Sequence, residues 1–174
     1  MQVAEASLVV DYFHEASPAD LERMGVDPAR LPEPKAWRAS LETALAAPAS
    51  KATSFYSAWL VDGRPVGYAA LKRIRPGVCA DIHLHMWSAP HRGQGHGATL
   101  FCKSVVDAYD RFALRDLVCE PQADNPMPNR MLAKVGFPLL RTYVGSSSEL
   151  SQTTSLNRYE IPRGVAEAYL AVRR

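Results

Sequence analysis

Apolar residues change their spacing several times along this chain, and each change marks a predicted element. Through residues 1–50 they come in short groups cut by Ser17-Pro18, Asp27-Pro28 and the prolines at 32 and 34, which predicts short helical pieces. Trp37, Leu41 and Leu45 then recur every fourth residue behind a proline, predicting a helix over Pro34–Ala47. Ser17, followed by Pro18 and Asp20, fits the N-cap of another short helix. From Phe55 the pattern turns to strands. Phe55–Val61 and Val66–Lys72 are joined by a hairpin turn at Asp62-Gly63, and Arg75-Pro76-Gly77 separates them from a longer strand, Val78–Trp87. Helical spacing returns over Gly95–Phe112. Ala98, Phe101, Cys102, Val105, Ala108, Tyr109 and Phe112 fall on one face, with Lys103, Asp107, Asp110 and Arg111 off it. Leu114–Glu120 is a strand and Pro128–Val135 a short helix ended by Gly136. Leu139–Val144 and Ser155–Ile161 close the sheet around a polar loop, Gly145–Thr154, and Gly164–Arg174 fits an amphipathic tail helix. No internal repeat is present.

Composition narrows the class. A chain of 174 residues with 47% apolar and 22% charged residues fits one globular domain with a real core. A net charge of +2 gives no argument for a nucleic-acid partner. The first sixteen residues carry acids and lack a basic region followed by an apolar core, so no signal peptide is expected. No apolar run approaches the eighteen residues that a membrane span needs. Cys79, Cys102 and Cys119 are far apart in apolar surroundings, which suggests buried thiols in a reducing compartment rather than disulfides or zinc ligands. The expectation is a cytoplasmic chain.

The most informative segment is His91-Arg-Gly-Gln-Gly-His-Gly97, between a strand and an amphipathic helix. Three glycines in five residues let a ligand approach the backbone closely and let several N–H groups converge. No Ser, Thr, Asp or Asn stands within it to cap the helix, so the first-turn N–H groups and the positive dipole end stay free for an anion. A P-loop would need Gly-Lys-Ser/Thr, and Gly97-Ala98-Thr99 has no lysine. The dinucleotide fingerprint needs different glycine spacing. The pattern Arg/Gln-x-x-Gly-x-Gly/Ala is met by Arg92, Gly95 and Gly97.

On that pattern, and on a second segment from Asn125 to Gly136-Phe137, residues 55–161 resemble the GNAT superfamily of N-acetyltransferases. The resemblance implies an α/β (α+β) GNAT fold, in which a mixed, mostly antiparallel sheet splays open after the fourth strand and holds acetyl-CoA in the V. It implies one acyltransferase domain over 1–174, with acceptor-side helices in 1–50, the sheet, CoA loop and core helices in 55–161, and a tail in 162–174. The strand end at Met86, Trp87 and Ser88 would pair with the pantetheine amides. Gly93, Gln94, Gly95, His96, Gly97 and Ala98 would hold the pyrophosphate beside Arg92, and Asn125 would contact the pantetheine arm, with Asn129 one turn further on.

Chemistry is suggested by the strand before the loop. Asp81, His83, His85 and Trp87 share one face, while Ile82, Leu84 and Met86 share the other, which belongs on the core helix. A histidine has the pKa range of a base at neutral pH. His-x-His could begin a metal site, but no third ligand is evident, and no metal is expected. The stretch also resembles, more narrowly, the siderophore-type hydroxylysine acyltransferases, through His83-Leu84 and through Glu120-Pro121 ahead of Asn125. That branch's strand histidine corresponds to His83. Its Glu-Pro-Asp aspartate corresponds to Gln122, so the His/Asp pair is incomplete here. His83 is therefore the first candidate base, with His85 and Glu120 behind it. The tyrosine that many members carry before Gly-Phe is replaced by Leu132. The resulting expectation is transfer of acetyl from acetyl-CoA to a primary amine or hydroxylamine of a small metabolite by direct attack. Acetylation of a protein N-terminus or lysine is the alternative, and a non-catalytic acyl-CoA sensor is the third reading. The exposed end strand could mediate a symmetric homodimer.

Overall fold

The computed structural model describes residues 5–173, so Arg174 at the end of the predicted tail helix lies outside the described residues. Six strands form one sheet: β1 (Phe55–Val61), β2 (Arg64–Arg75), β3 (Cys79–His85), β4 (Asp116–Cys119), β5 (Leu139–Gly145) and β6 (Thr154–Glu160). Their order is β1-β2-β3-β4-β6-β5. Six α-helices accompany them: α1 (Ala6–His14), α2 (Pro18–Met24), α3 (Pro34–Ala46), α4 (His96–Phe112), α5 (Pro126–Val135) and α6 (Arg163–Ala171).

Local chemistry explains most boundaries. Asp62 and Gly63 both have positive φ, 50° and 75°, which the tight β1–β2 turn demands. Ser17 Oγ accepts from the Asp20 N–H at 3.2 Å and starts α2. Glu33, rather than a hydroxyl, caps α3 by accepting from the Ala36 N–H at 2.9 Å ahead of Pro34. Gly136, at φ 98°, ends α5. Among the described residues, no helix is long and apolar enough to cross a membrane.

The sheet is mixed and mostly antiparallel, and its parallel pair is β3–β4. That pairing covers Cys79↔Asp116, Ala80↔Leu117 and Asp81↔Val118 only, after which β4 pairs with β6 through Val118↔Glu160 and Cys119↔Tyr159. The sheet therefore opens beyond Asp81, between the third and fourth strands counted from Phe55, and β3 stops at His85 rather than at Trp87.

Strand alternation feeds two cores. Ala69 and Leu71 of β2 join Trp59, Ile82, Phe101, Val105, Leu117, Leu132 and Ile161 in a cluster that includes α4. Tyr68 and Ala70 join Val9, Val10, Phe13 and Leu41, so α1 and α3 belong to the second cluster. Ile82 lies in the α4 cluster and Leu84 and Met86 pack against it, which turns His83 and His85 toward the opposite side of the sheet.

Candidate active site

The opening between β3 and β4 is a cavity of about 410 Å³. One wall is His83–Met86 and the other is Cys119–Gln122, with Gly93, Gly95, Gly97 and Ala98 at one end. Arg23, Met24, Gly25, Ser147, Ser151 and Thr154 also line it.

At the loop, Gly93 and Gly95 have φ of 78° and 87°, and a Cβ on either would meet nothing within 4 Å. Gly95 is the N-cap of α4, and no side chain bonds that helix end. An open cradle faced by uncapped N–H groups is what a pyrophosphate needs, so the residues present fit the adenine-nucleotide end of CoA. Arg92 does something beyond the sequence expectation. Its Nε donates to the Met86 carbonyl at 2.9 Å and its Nη2 to that of Trp87 at 3.5 Å, tying the loop to the end of β3. Gln94 donates to the Pro90 carbonyl at 2.7 Å, and Ser88 Oγ lies 2.6 Å from His91 Nδ1. Trp87 donates to the Pro65 carbonyl at 3.0 Å and lines a separate groove with Tyr12 and Arg92.

On the opposite wall, Asn125 caps α5 through the Met127 N–H at 3.4 Å and donates to the Arg23 carbonyl at 3.0 Å. Asn129 donates to the carbonyls of Gln122 and Asn125 and accepts from Asn157, so both its N–H donors are used inside the protein. Asn125 lines the cavity and Asn129 does not.

The sequence profile of the acetyltransferase (GNAT) family matches residues 15–137, about seven-tenths of the chain. The chain belongs to the GNAT acetyltransferase family. No curated protein matches the sequence. Several solved structures share the fold at low identity. The microcin C7 self-immunity acetyltransferase MccE, in complex with acetyl-CoA and AMP, is 14% identical, with TM-score 0.69 and coverage of 91% of this chain and 87% of that one. A spermidine/spermine N-acetyltransferase SpeG from Vibrio cholerae is 11% identical, with TM-score 0.71 and coverage of 100% and 95%. The ribosomal-protein-alanine N-acetyltransferase from Brucella melitensis is 16% identical, with TM-score 0.68 and coverage of 92% and 96%.

As a GNAT enzyme this acetyltransferase takes its acyl group from acetyl-CoA, whose thioester is already activated toward amines. Its candidate bases have distinct environments. Burial, with Lys72 and Arg73 adding to it, lowers the His83 pKa to about 4, and its Nε2 is buried with no hydrogen-bond partner. The sequence expectation of a neutral-range base is corrected on this point, because removal from water disfavours the imidazolium. His85 stacks on Tyr68, with ring centroids 5.0 Å apart, and meets the edges of Tyr12 and Phe13. Burial, followed by the charge of His83, lowers its pKa to about 3. Glu120 is buried and accepts from the Tyr143 hydroxyl at 2.8 Å and from Arg158. Asp81 pairs with Arg73.

Periodicity could not supply these partners. Tyr12, Tyr68, Tyr143, Arg158 and the loop residues Ser147 and Ser151 reach this acetyltransferase's site through tertiary contacts. Among the described residues, no three His, Cys, Asp or Glu side chains are grouped to hold a metal ion. The three cysteines are free, with Cys102 and Cys119 buried and Cys79 half-buried.

Proposed function

We propose that this acetyltransferase moves the acetyl group of acetyl-CoA onto a primary amine or hydroxylamine of a small metabolite, which attacks directly within the β3–β4 cleft. The observation that carries this reading is a tied segment at the cavity's boundary. The β5–β6 loop is bound to the segment after α2 by the Val26↔Ser151 bridge. The Gln152 N–H donates to the Gly25 carbonyl at 2.8 Å, the Asp27 N–H to that of Leu150 at 2.9 Å, and Arg30 to that of Ser151 at 2.9 Å. Ser151 and Gly25 also line the cavity, so this tied segment forms part of its boundary. A protein segment would need an open groove there. Fold alone does not choose the acceptor, since neighbours are named for spermidine and for ribosomal-protein alanine.

In this reading residues 1–50 form the acceptor side, 55–161 the sheet and cofactor site, and 162–174 a tail. Gly93, Gln94, Gly95, His96, Gly97 and Ala98 offer backbone donors to the pyrophosphate. The strand end from Met86 to Ser88 receives the pantetheine arm opposite Asn125, and Arg92 fixes that strand end. His83 receives the acceptor's proton, directly or through a water, and Glu120 and His85 shape the pocket. The β5 edge ends the sheet with Leu139, Leu140 and Val144 exposed, and a second copy pairing along it would form a homodimer.

The test is release of free thiol from acetyl-CoA with pooled amines, polyamines, amino acids and peptides. A small amine should be acetylated. Acetylation of peptides alone would replace this reading with protein acetylation, and tight acetyl-CoA binding without turnover on any acceptor would replace it with a sensor.

A further inference from the structure

Two residues that line the cleft each hold a buried polar atom without a partner: Nε2 of His83 on the β3 wall and Oε1 of Gln122 on the β4 wall. Gln122 is firmly placed. Its backbone bridges to Leu156 and its carbonyl accepts from Asn129 at 2.8 Å. Its side-chain Nε2 donates to Thr154 Oγ1 at 3.3 Å, and its Oε1 lies 3.4 Å from where a Cβ on Gly25 would stand. A buried amide atom left unpaired is costly, and an occupant that pairs with it recovers that cost. Arg130 and Lys134 bring two cations to the lining, and the carboxylate there is already paired. Glu120 is the one carboxylate lining the cleft among the described residues, and its Oε1 accepts from both Tyr143 and Arg158. Arg23 is paired with Asp20.

From these observations we infer that the acceptor carries a neutral hydroxyl or amide beside its reacting amine, and that Gln122 selects for it. The inference rests on the small-amine reading of the same cleft and names its substrate class. A second ammonium would meet Arg130 and Lys134 and a single carboxylate already paired with Arg158, and an uncompensated buried charge is strongly disfavoured. A hydroxyl both donates and accepts, so it satisfies the Gln122 amide with either end turned into the cleft. The hydroxyls of Ser147, Ser151 and Thr154 add a neutral polar lining.

Three amines of equal length separate the possibilities: 3-aminopropan-1-ol, 1,3-diaminopropane and β-alanine, with neutral, cationic and anionic far ends. The amino alcohol should lead in kcat/KM by at least about tenfold, since a site built for a hydrogen-bonding group rejects analogues that leave it unpaired. Gln122→Glu keeps the shape and adds a counter-charge, so it should raise the diamine-to-alcohol ratio by at least about tenfold. Leadership by the diamine or by β-alanine in the wild type would overturn the inference. So would an unchanged ratio in a Gln122→Glu protein that still shows a thermal shift with acetyl-CoA. If the variant does not fold, the wild-type order decides. If no small amine is acetylated while peptides are, the small-metabolite reading itself falls and takes this inference with it, whereas a wrong order among acetylated amines removes this inference alone.

Discussion

Moving an imidazolium from water into the space enclosed by Tyr12, Phe13 and Tyr68 is unfavourable, so His85 stays neutral down to about pH 3, and burial holds His83 neutral to about pH 4. Above about pH 6.5 neither state carries the proton, and below that the unfolded chain binds it while the folded one does not. Stability should therefore fall as pH drops from about 6.5 toward 4 for His83 and toward 3 for His85. His85→Phe preserves the aromatic packing and removes one titration. At pH 4.5 that relieves on the order of 3 kcal/mol, so the drop in Tm between pH 7.5 and 4.5 should shrink. An unchanged drop would show that His85 is not held neutral. For catalysis, His83→Ala should lower kcat by roughly 10²–10⁴-fold, the range for a positioned base, with acetyl-CoA affinity unaltered and His85→Ala costing less. A base with a pKa near 4 cannot strip a proton from an alkylammonium, so the amine must arrive neutral. The acid limb of kcat/KM should then track the pKa of whichever amine is supplied. A limb fixed near 6.5 for every amine, or near-wild-type turnover in both alanine variants, would exclude this role for His83.

Two glycines, Gly67 within β2 and Gly95 in the loop, meet different constraints, and that difference is testable. A Cβ on Gly67 would lie 2.4 Å from the His85 carbonyl oxygen and 3.0 Å from Met86 Cα, so the backbone of β3 must move to admit it. Gly95 faces open space but has φ of 87°, so a side chain there is strained without colliding with anything. Gly67→Ala should lower stability by about 1–3 kcal/mol and weaken acetyl-CoA binding together, because it displaces the strand end. Gly95→Ala should cost about 1–2 kcal/mol in stability yet weaken acetyl-CoA out of proportion, because its methyl group occupies the cradle. Thermal unfolding and calorimetry on both variants check this, and unaltered affinity in Gly95→Ala would move the phosphate site elsewhere. The Gly95 signal was legible in the sequence because an uncapped glycine-rich turn is a local pattern. So were β1, its hairpin turn, α3 and α4, whose periodicity and turn residues lie within each segment. Gly67 was silent, since its constraint comes from His85 and Met86, far along the chain across a strand pair. α1 was not resolved as an element because Val9, Val10 and Phe13 make sense only against Tyr56 and Tyr68, far along the chain. The commitment of Glu120 to Tyr143 and Arg158 was invisible for the same reason.

Across the whole molecule, β4 is the narrow link of the sheet. It pairs with β3 at three positions and with β6 at two, so β1–β3 and β6–β5 meet through a short seam. The cavity between them is walled by both halves, with His83–Met86 on one side and Cys119–Gln122 on the other. A ligand seated there contacts groups that are brought together only by folding, so it binds the native state and not the unfolded chain. At a hundredfold excess over its dissociation constant, such a ligand adds about 2.7 kcal/mol. For a chain of this size that corresponds to a rise in Tm of about 5–11 °C. Acetyl-CoA and CoA should both produce the shift, since the pyrophosphate and amide-bearing arm proposed to meet the loop, the uncapped end of α4 and the edge of β3 are common to both. NAD and ATP also bring phosphates to the loop, but neither has a linear amide-bearing arm to lie along Met86–Ser88 opposite Asn125. Their shifts should be small beside that of CoA. Differential scanning fluorimetry with the four ligands at equal concentration decides the matter: a shift with NAD or ATP and none with CoA would remove CoA from the cleft, whatever the fold resembles.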